Sequence, residues 1–415
     1  MTRLLALVVL AGLMVGIPGA PGRAEDRETA IPTAFVERCL AHVERIRGES
    51  FERRPPVFRA TPEAYLDRML GDIERLLGGN ATLSRLEILL RDLGQIGPRE
   101  SVIGIATRFI PASAAASYDA RQDRIEILRG FRSSALLCHE LTHALDDQRF
   151  DLLRMFRDGP LEFDRLLALG ALIEGSAESV EMSYRTKGVF PLLPISILES
   201  QGEARAEAYV ARHRDVPRLL ARAFIFQYLS GLVFVETVKR RRLQGWTALD
   251  AAFRNPPRTT EQVLHPRKYF AGEGPLPLVP FRPAGYAVTA SNVLGELGTL
   301  IALEGFGTPL DTARQAARGW GADRIAHLES KTGGGLFVWD TVWDTERDAA
   351  RFFAAARSGL RGATRSSGTR TAIAVRPDRT ADLLLARGRR VTLLRGVPVG
   401  ELRALRLALL ETISR

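Results

Sequence analysis

Apolar residues recur every three or four positions through most of the chain up to about Gly319, and the period then shortens towards two from LFVWDTVWD on, so the chain reads as a helical body followed by a mixed region. Thr61 to Leu77 and Thr82 to Leu93 carry the helical spacing, and Thr33 to about Gly97 is expected to be helical throughout. Next, Ala112 to Tyr118 and Arg124 to Leu128 flank the polar turn DARQD. The second arm, RIEIL, alternates, which predicts a hairpin. In Ser133 to Phe150, Leu137, Leu141, Ala144 and Leu145 form one apolar stripe, and Ser133 or Ser134 can cap its amino end. Leu169, Ile173 and Val180 anchor a later helix whose other face carries Glu174, Glu178 and Glu181. Helices follow from Glu203 to Lys239. Within them, Ala223 to Val238 is too short and too polar to cross a membrane and predicts a buried helix, with Gln227 and Glu236 needing partners.

Proline-rich GEGPLPLVPFRPAGY, residues 272–286, marks the expected boundary. Beyond it Ser291 to Leu303 and Pro309 to Gly319 read as helices and LFVWDTVWD as a strand with Trp339 and Trp343 on one face. ERDAARFFAAARSGL is helical, TAIAVRP, ADLLLARG and RRVTLLRG are short strands, and Val399 to Ile413 closes as a helix. The expected division is 1–24, 25–100 as a helical region or removable pro-segment, 101–274 as a catalytic domain, and 286–415 as an α+β carboxyl-terminal domain without a catalytic constellation. GWGADR at Gly319 to Arg324 is distinctive without suggesting a chemistry.

Chemistry concentrates in His139, Glu140 and His143, spaced H-E-x-x-H. On a helix, two histidines four residues apart stand on one face and can reach the same metal ion, with Glu140 beside it. A catalytic zinc commonly takes three protein ligands and keeps a fourth position for water, so a third donor is needed. Glu174 is the best candidate, because Gly170 and Gly175 would let its helix approach the His139 helix closely. Glu178 is then placed to accept a hydrogen bond from the far nitrogen of a ligand histidine, with Asp146 and Asp147 as rivals. His265 and Tyr269, in PPRTTEQVLHPRKYF, are expected as donors to an oxyanion.

HELTHA with a downstream E-G-x-A-E resembles a zincin metallopeptidase of the gluzincin type, over roughly Ala114 to Glu181. The resemblance implies a mainly helical α+β zincin-like domain with a small edge-strand sheet. It also implies one zinc ion held by His139, His143 and Glu174, and Glu140 as general base in peptide-bond hydrolysis. By the same likeness, substrate peptide pairs with an edge strand just before the active-site helix. The 31 positions from His143 to Glu174 exceed the gap in thermolysin-like members. The alternative from another class is a cell-envelope binding or assembly protein that keeps the fold without proteolysis.

Met1-Thr2-Arg3, the apolar run Leu4 to Ile17 and the small-residue exit to Ala24 read as a secretory signal, which predicts a secreted or periplasmic protein. In an oxidising compartment Cys39 and Cys138 permit one disulfide, although Cys138 on an apolar helix face equally fits a buried thiol. The net charge of +10 comes almost wholly from arginine, with lysine only at 187, 239, 268 and 331. Such a surface is drawn to anionic envelope polymers or headgroups. Nucleic acid is not an expected partner, since no aromatic and basic residues interleave as a stacking groove requires. Peptide or protein substrate is.

Overall fold

The computed structural model describes residues 31–68, 80–113, 115–128, 133–160, 162–331 and 333–413. The signal segment, and the part of the expected Thr61 to Leu77 helix beyond residue 68, lie outside them. The amino-terminal portion contains α1 (Thr33–Arg47), β1 (Val57–Ala60), α2 (Asn80–Asp92), α3 (Val102–Ser113), β2 (Ala116–Asp119) and β3 (Arg124–Leu128). The helical body continues with α4 (Ser134–Phe150), α5 (Leu152–Arg157), α6 (Phe163–Arg185), α7 (Ile195–Arg212), α8 (Arg218–Arg240), α9 (Trp246–Arg254), α10 (Thr260–Leu264) and α11 (Pro266–Ala271). The last portion runs β4 (Tyr286–Asn292), α12 (Gly295–Gly305), α13 (Leu310–Ala317), β5 (Trp320–Ser330), β6 (Gly335–Trp343), α14 (Glu346–Ala356), β7 (Ala363–Ser367), β8 (Thr371–Val375), β9 (Thr380–Arg387), β10 (Arg390–Pro398) and α15 (Leu402–Ile413). The architecture is mixed α and β, as expected.

The small sheet has the order β1-β3-β2, with β1 parallel and β2 antiparallel to the central β3. Two expectations change here. Val57–Ala60 is a strand inside the stretch read as helical, because it pairs with Ile125 to Leu128 rather than presenting a helical face. The first hairpin arm begins only at Ala116, since Ala112 and Ser113 belong to α3. The large sheet has the order β4-β5-β6-β10-β9-β8-β7 and is antiparallel throughout. Ser291 and Asn292 end β4 rather than opening a helix, and β5 was not expected at all. Its residues are buried on both faces through most of its length, so its sequence lacks the alternation of a half-exposed strand. Trp339 and Trp343 do share a face, and both pack on Phe352 of α14.

One apolar core runs through both portions, joining Leu89, Leu169 and Phe224 to Ile301, Trp339 and Leu393. GWGADR is part of this join. Gly319 has φ +78°, a conformation that favours glycine, and Trp320 is buried with its indole N–H donating to Asp323. Asp323 also accepts from the backbone N–H groups of Leu294 and Gly295 at the start of α12, while Arg324 pairs with Glu162 just ahead of α6 at 2.8 Å.

Across the same join Asp164 of α6 accepts from the Thr260 backbone N–H and hydroxyl. Burial pushes its carboxyl up to about 8, and Asp323 and Glu261 add to the rise against the Thr260 bonds. A carboxyl raised in the folded state stabilises fully below its unfolded pKa and loses that contribution as pH rises through the folded one. The wild type is therefore expected to lose stability relative to Asp164→Asn between pH 4 and pH 8. Urea midpoints of the two proteins across that range check this, and a constant difference between them would contradict it.

The apolar residues of α8 from Ala223 to Val238 lie almost wholly inside the protein. The helix spanning Arg218–Leu243 is long and apolar enough to cross a membrane, with 83% of its apolar window buried within the fold. Gln227 donates to the Ala223 carbonyl; Glu236 accepts from Ser179, Lys239 and Arg240. Gly175 of α6 and Gly231 of α8 let these helices meet closely: a Cβ on Gly175 would stand 2.3 Å from the Gly231 carbonyl, and one on Gly231 2.2 Å from the Ala171 carbonyl oxygen. Gly175 thus admits α8, not the His139 helix as expected.

Candidate metal centre

Helix α4 begins where Ser133 caps it, its hydroxyl accepting from the Leu136 N–H at 3.2 Å. Residues 135–146 are buried on every side, so the face expected to carry chemistry is as enclosed as the apolar stripe. Leu137, Leu141, Ala144 and Leu145 join Cys39, Leu40 and Val43 of α1 and Ile125 and Ile127 of β3 in a second core. The amino-terminal region is thereby built into the foundation of α4. Cys39 and Cys138 are both buried free thiols in this core.

His139 Nε2 lies 3.2 Å and His143 Nε2 3.6 Å from the same oxygen, Glu174 Oε2. One ion bonded tetrahedrally at about 2.0–2.1 Å needs donor atoms roughly 3.3 Å apart, so the three residues fit it. All three side chains are buried, and among the described residues both His143 ring nitrogens and Glu174 Oε1 lack hydrogen-bond partners. Buried polar atoms in that condition are costly unless something else satisfies them, and a cation among them does. Glu140 is wholly buried beside them, with neither carboxylate oxygen hydrogen-bonded among the described residues.

The electrostatics are those of a site short of positive charge. Burial opposes a proton on His139, yet Glu174 and Glu181 outweigh it and hold the imidazole well above its ordinary value. Burial pushes Glu140 up to about 7, the two imidazoles lower it, and Glu174 and Glu181 raise it again. Glu178 is pushed up to about 8 by burial and by Glu181. A bound metal cation would replace the proton these carboxylates attract.

The expected orienting residues are rearranged. His139 Nδ1 lies 3.1 Å from Glu181 Oε2, one turn beyond Glu178, and Glu181 is itself held by Arg185. Glu178 stays within the cluster around His139 and Glu181 without being that nearest partner. Asp146 instead pairs with buried Arg47 at 2.6 Å and accepts from Ser176. Asp147 accepts from the Tyr118 hydroxyl and the Leu152 N–H. The oxygens of both aspartates are claimed by these partners rather than by the imidazoles.

His265 is also elsewhere. It sits between α10 and α11, 2.9 Å from Glu296 of α12, and lines a cavity whose walls include none of His139, Glu140, His143 or Glu174. Its salt bridge to the carboxyl-terminal portion determines its place. Tyr269 donates to the Asn255 carbonyl. Two tyrosines that sequence reasoning passed over stand closer to the centre. Tyr228 of α8 is fully buried and lies nearly parallel to the His139 ring, with centroids 6.1 Å apart. Burial first, then Glu174 and Glu140, raise its phenol well above its ordinary value. Tyr65 is buried too and is raised chiefly by burial, with Glu140 contributing. Neither has a local motif; each enters from a distant helical segment.

The profile of a domain-of-unknown-function family, DUF8575, matches residues 284–406, which is the large-sheet portion and excludes the metal centre. No curated protein and no solved structure matches the chain.

Proposed function

We propose that the protein is an exported zinc-dependent metallopeptidase of the zincin type, with His139, His143 and Glu174 as zinc ligands and Glu140 as general base. The observation that carries this reading is the convergence of two imidazole nitrogens on one Glu174 oxygen, next to the Glu140 carboxylate, which has no hydrogen-bond partner among the described residues. A bound zinc ion supplies a Lewis acid that polarises a scissile carbonyl and lowers the pKa of a water.

Glu140, buried beside the two imidazoles with neither oxygen hydrogen-bonded among the described residues, takes the proton from the attacking water and returns it to the leaving amine. Glu181 fixes the orientation of the His139 ring from its Nδ1 side. Tyr228, kept protonated by burial and neighbouring carboxylates, is assigned as the oxyanion donor in place of His265. Export rests on the amino-terminal pattern, and the basic surface suits an anionic envelope.

The enclosure of all four groups favours a second reading, an envelope binding or assembly protein in which metal only braces the fold. Metal analysis and peptide digestion test the two. Purified protein is expected to hold about one equivalent of zinc and His139→Ala essentially none. The zinc-loaded protein is expected to cleave a mixed peptide library; a zinc-loaded protein that cleaves nothing supports the brace.

A further inference from the structure

On the opposite side of α8 from Tyr228 lies a cavity of about 410 Å³, within the roughly 300–1,000 Å³ range of small-molecule sites. Its floor is apolar, built from Phe226, Leu229 and Val233 of α8 and Leu297 and Leu300 of α12. Glu296 lines it with a side chain only 5% exposed. One of its oxygens, Oε1, meets His265 at 2.9 Å; the other, Oε2, is buried without a hydrogen-bond partner among the described residues.

The other charged groups in the wall are either paired or open to solvent. Glu199 and Glu203, one turn apart on α7, are exposed at its wall and have no ion-pair partner among the described residues, so they add negative potential at the entrance rather than an unmet bond. Arg222 is already committed to Glu207 and Glu304, and Arg314 lies 3.5 Å from Asp311. Among the described residues, Arg318 alone remains as an uncommitted arginine in the wall. An apolar floor, one buried carboxylate oxygen lacking a donor and an acidic wall complement a molecule with an apolar body and a protonated amine.

We propose that this cavity is a binding site for an apolar amine, whose ammonium group donates to Glu296 Oε2 and whose hydrocarbon lies on Phe226, Leu229 and Leu300. The site is distinct from the metal centre and does not depend on peptidase activity.

Calorimetric titration of the full-length protein with octylamine, octanol and octanoate, each below its aggregation limit, tests it. The three share a chain and differ only in the head group. One octylamine is expected to bind per chain at least tenfold tighter than octanol. Glu296→Gln is expected to remove that advantage, and Ser230→Phe, which fills the cavity without touching Glu296, to abolish binding. The proposal is overturned if octanol binds as well as octylamine, or if octanoate binds best and so assigns the head group to Arg318. It is equally overturned if octylamine binding survives both substitutions. The comparison on the wild type alone decides the matter should a variant not fold.

Discussion

Glu140→Gln is expected to lower peptide hydrolysis by roughly 10²- to 10⁴-fold while the protein keeps its zinc, because general acid–base catalysis contributes about that much. The amide has nearly the shape of the carboxylate but cannot take a proton from water. It also removes one negative charge from a buried group that lies among Glu174 and Glu181 and has no hydrogen bond to lose among the described residues. Stability should therefore hold or rise, in contrast to His139→Ala, which removes a ligand. Measuring kcat and zinc content on the same preparation separates the two substitutions. Activity within threefold of wild type in zinc-loaded Glu140→Gln would exclude Glu140 as the base, and with it the proposed mechanism.

Arg47→Met is expected to cost about 3–5 kcal/mol, the range for removing one partner of a buried ion pair. The Arg47 guanidinium is fully buried, 2.6 Å from Asp146 and 3.3 Å from Asp250, and it stands over the Trp246 ring at 4.3 Å. Without it Asp146, three residues after His143, keeps only the Ser176 hydroxyl among these partners. Adding Asp146→Asn removes the stranded charge, so the double variant should recover part of the loss. Urea denaturation of the single and double variants measures this. A single-variant cost under about 1 kcal/mol would mean that the pair contributes little after desolvation.

The part of the site that could be read from sequence is the part set by short-range periodicity. His139, Glu140 and His143 are fixed relative to one another by a single helix with a serine cap, so their arrangement follows from spacing alone. That Glu174 lies beside the two imidazoles was legible from an acidic stripe at helical spacing, although the glycine argument behind it pointed to the wrong neighbouring helix. The same stripe did not reveal whether Glu178 or Glu181 would meet His139, since that depends on how α6 slides along α4, a tertiary quantity. Gly175 signalled close packing correctly but not the helix it packs against.

The rest depended on distant partners. Tyr228 lies 89 residues from His139 in an apolar run where a tyrosine reads as ordinary core. His265 looked catalytic because Glu296, which holds it, lies in another portion of the chain. Among the strands, β5 was hidden by burial on both faces and β1 by its isolation between helices. The β9–β10 hairpin was legible because its register leaves a short turn between two apolar arms.

The continuous core has a consequence for dissecting the protein. Cutting the chain in the proline-rich loop before β4 would leave Ile301 and Trp339 on one fragment and Leu169 and Phe224 on the other, each stripped of apolar neighbours. Neither fragment is then a natural unit for expression. An excised copy of the profile-matched region would inherit a greasy wound where α6 and α8 had been.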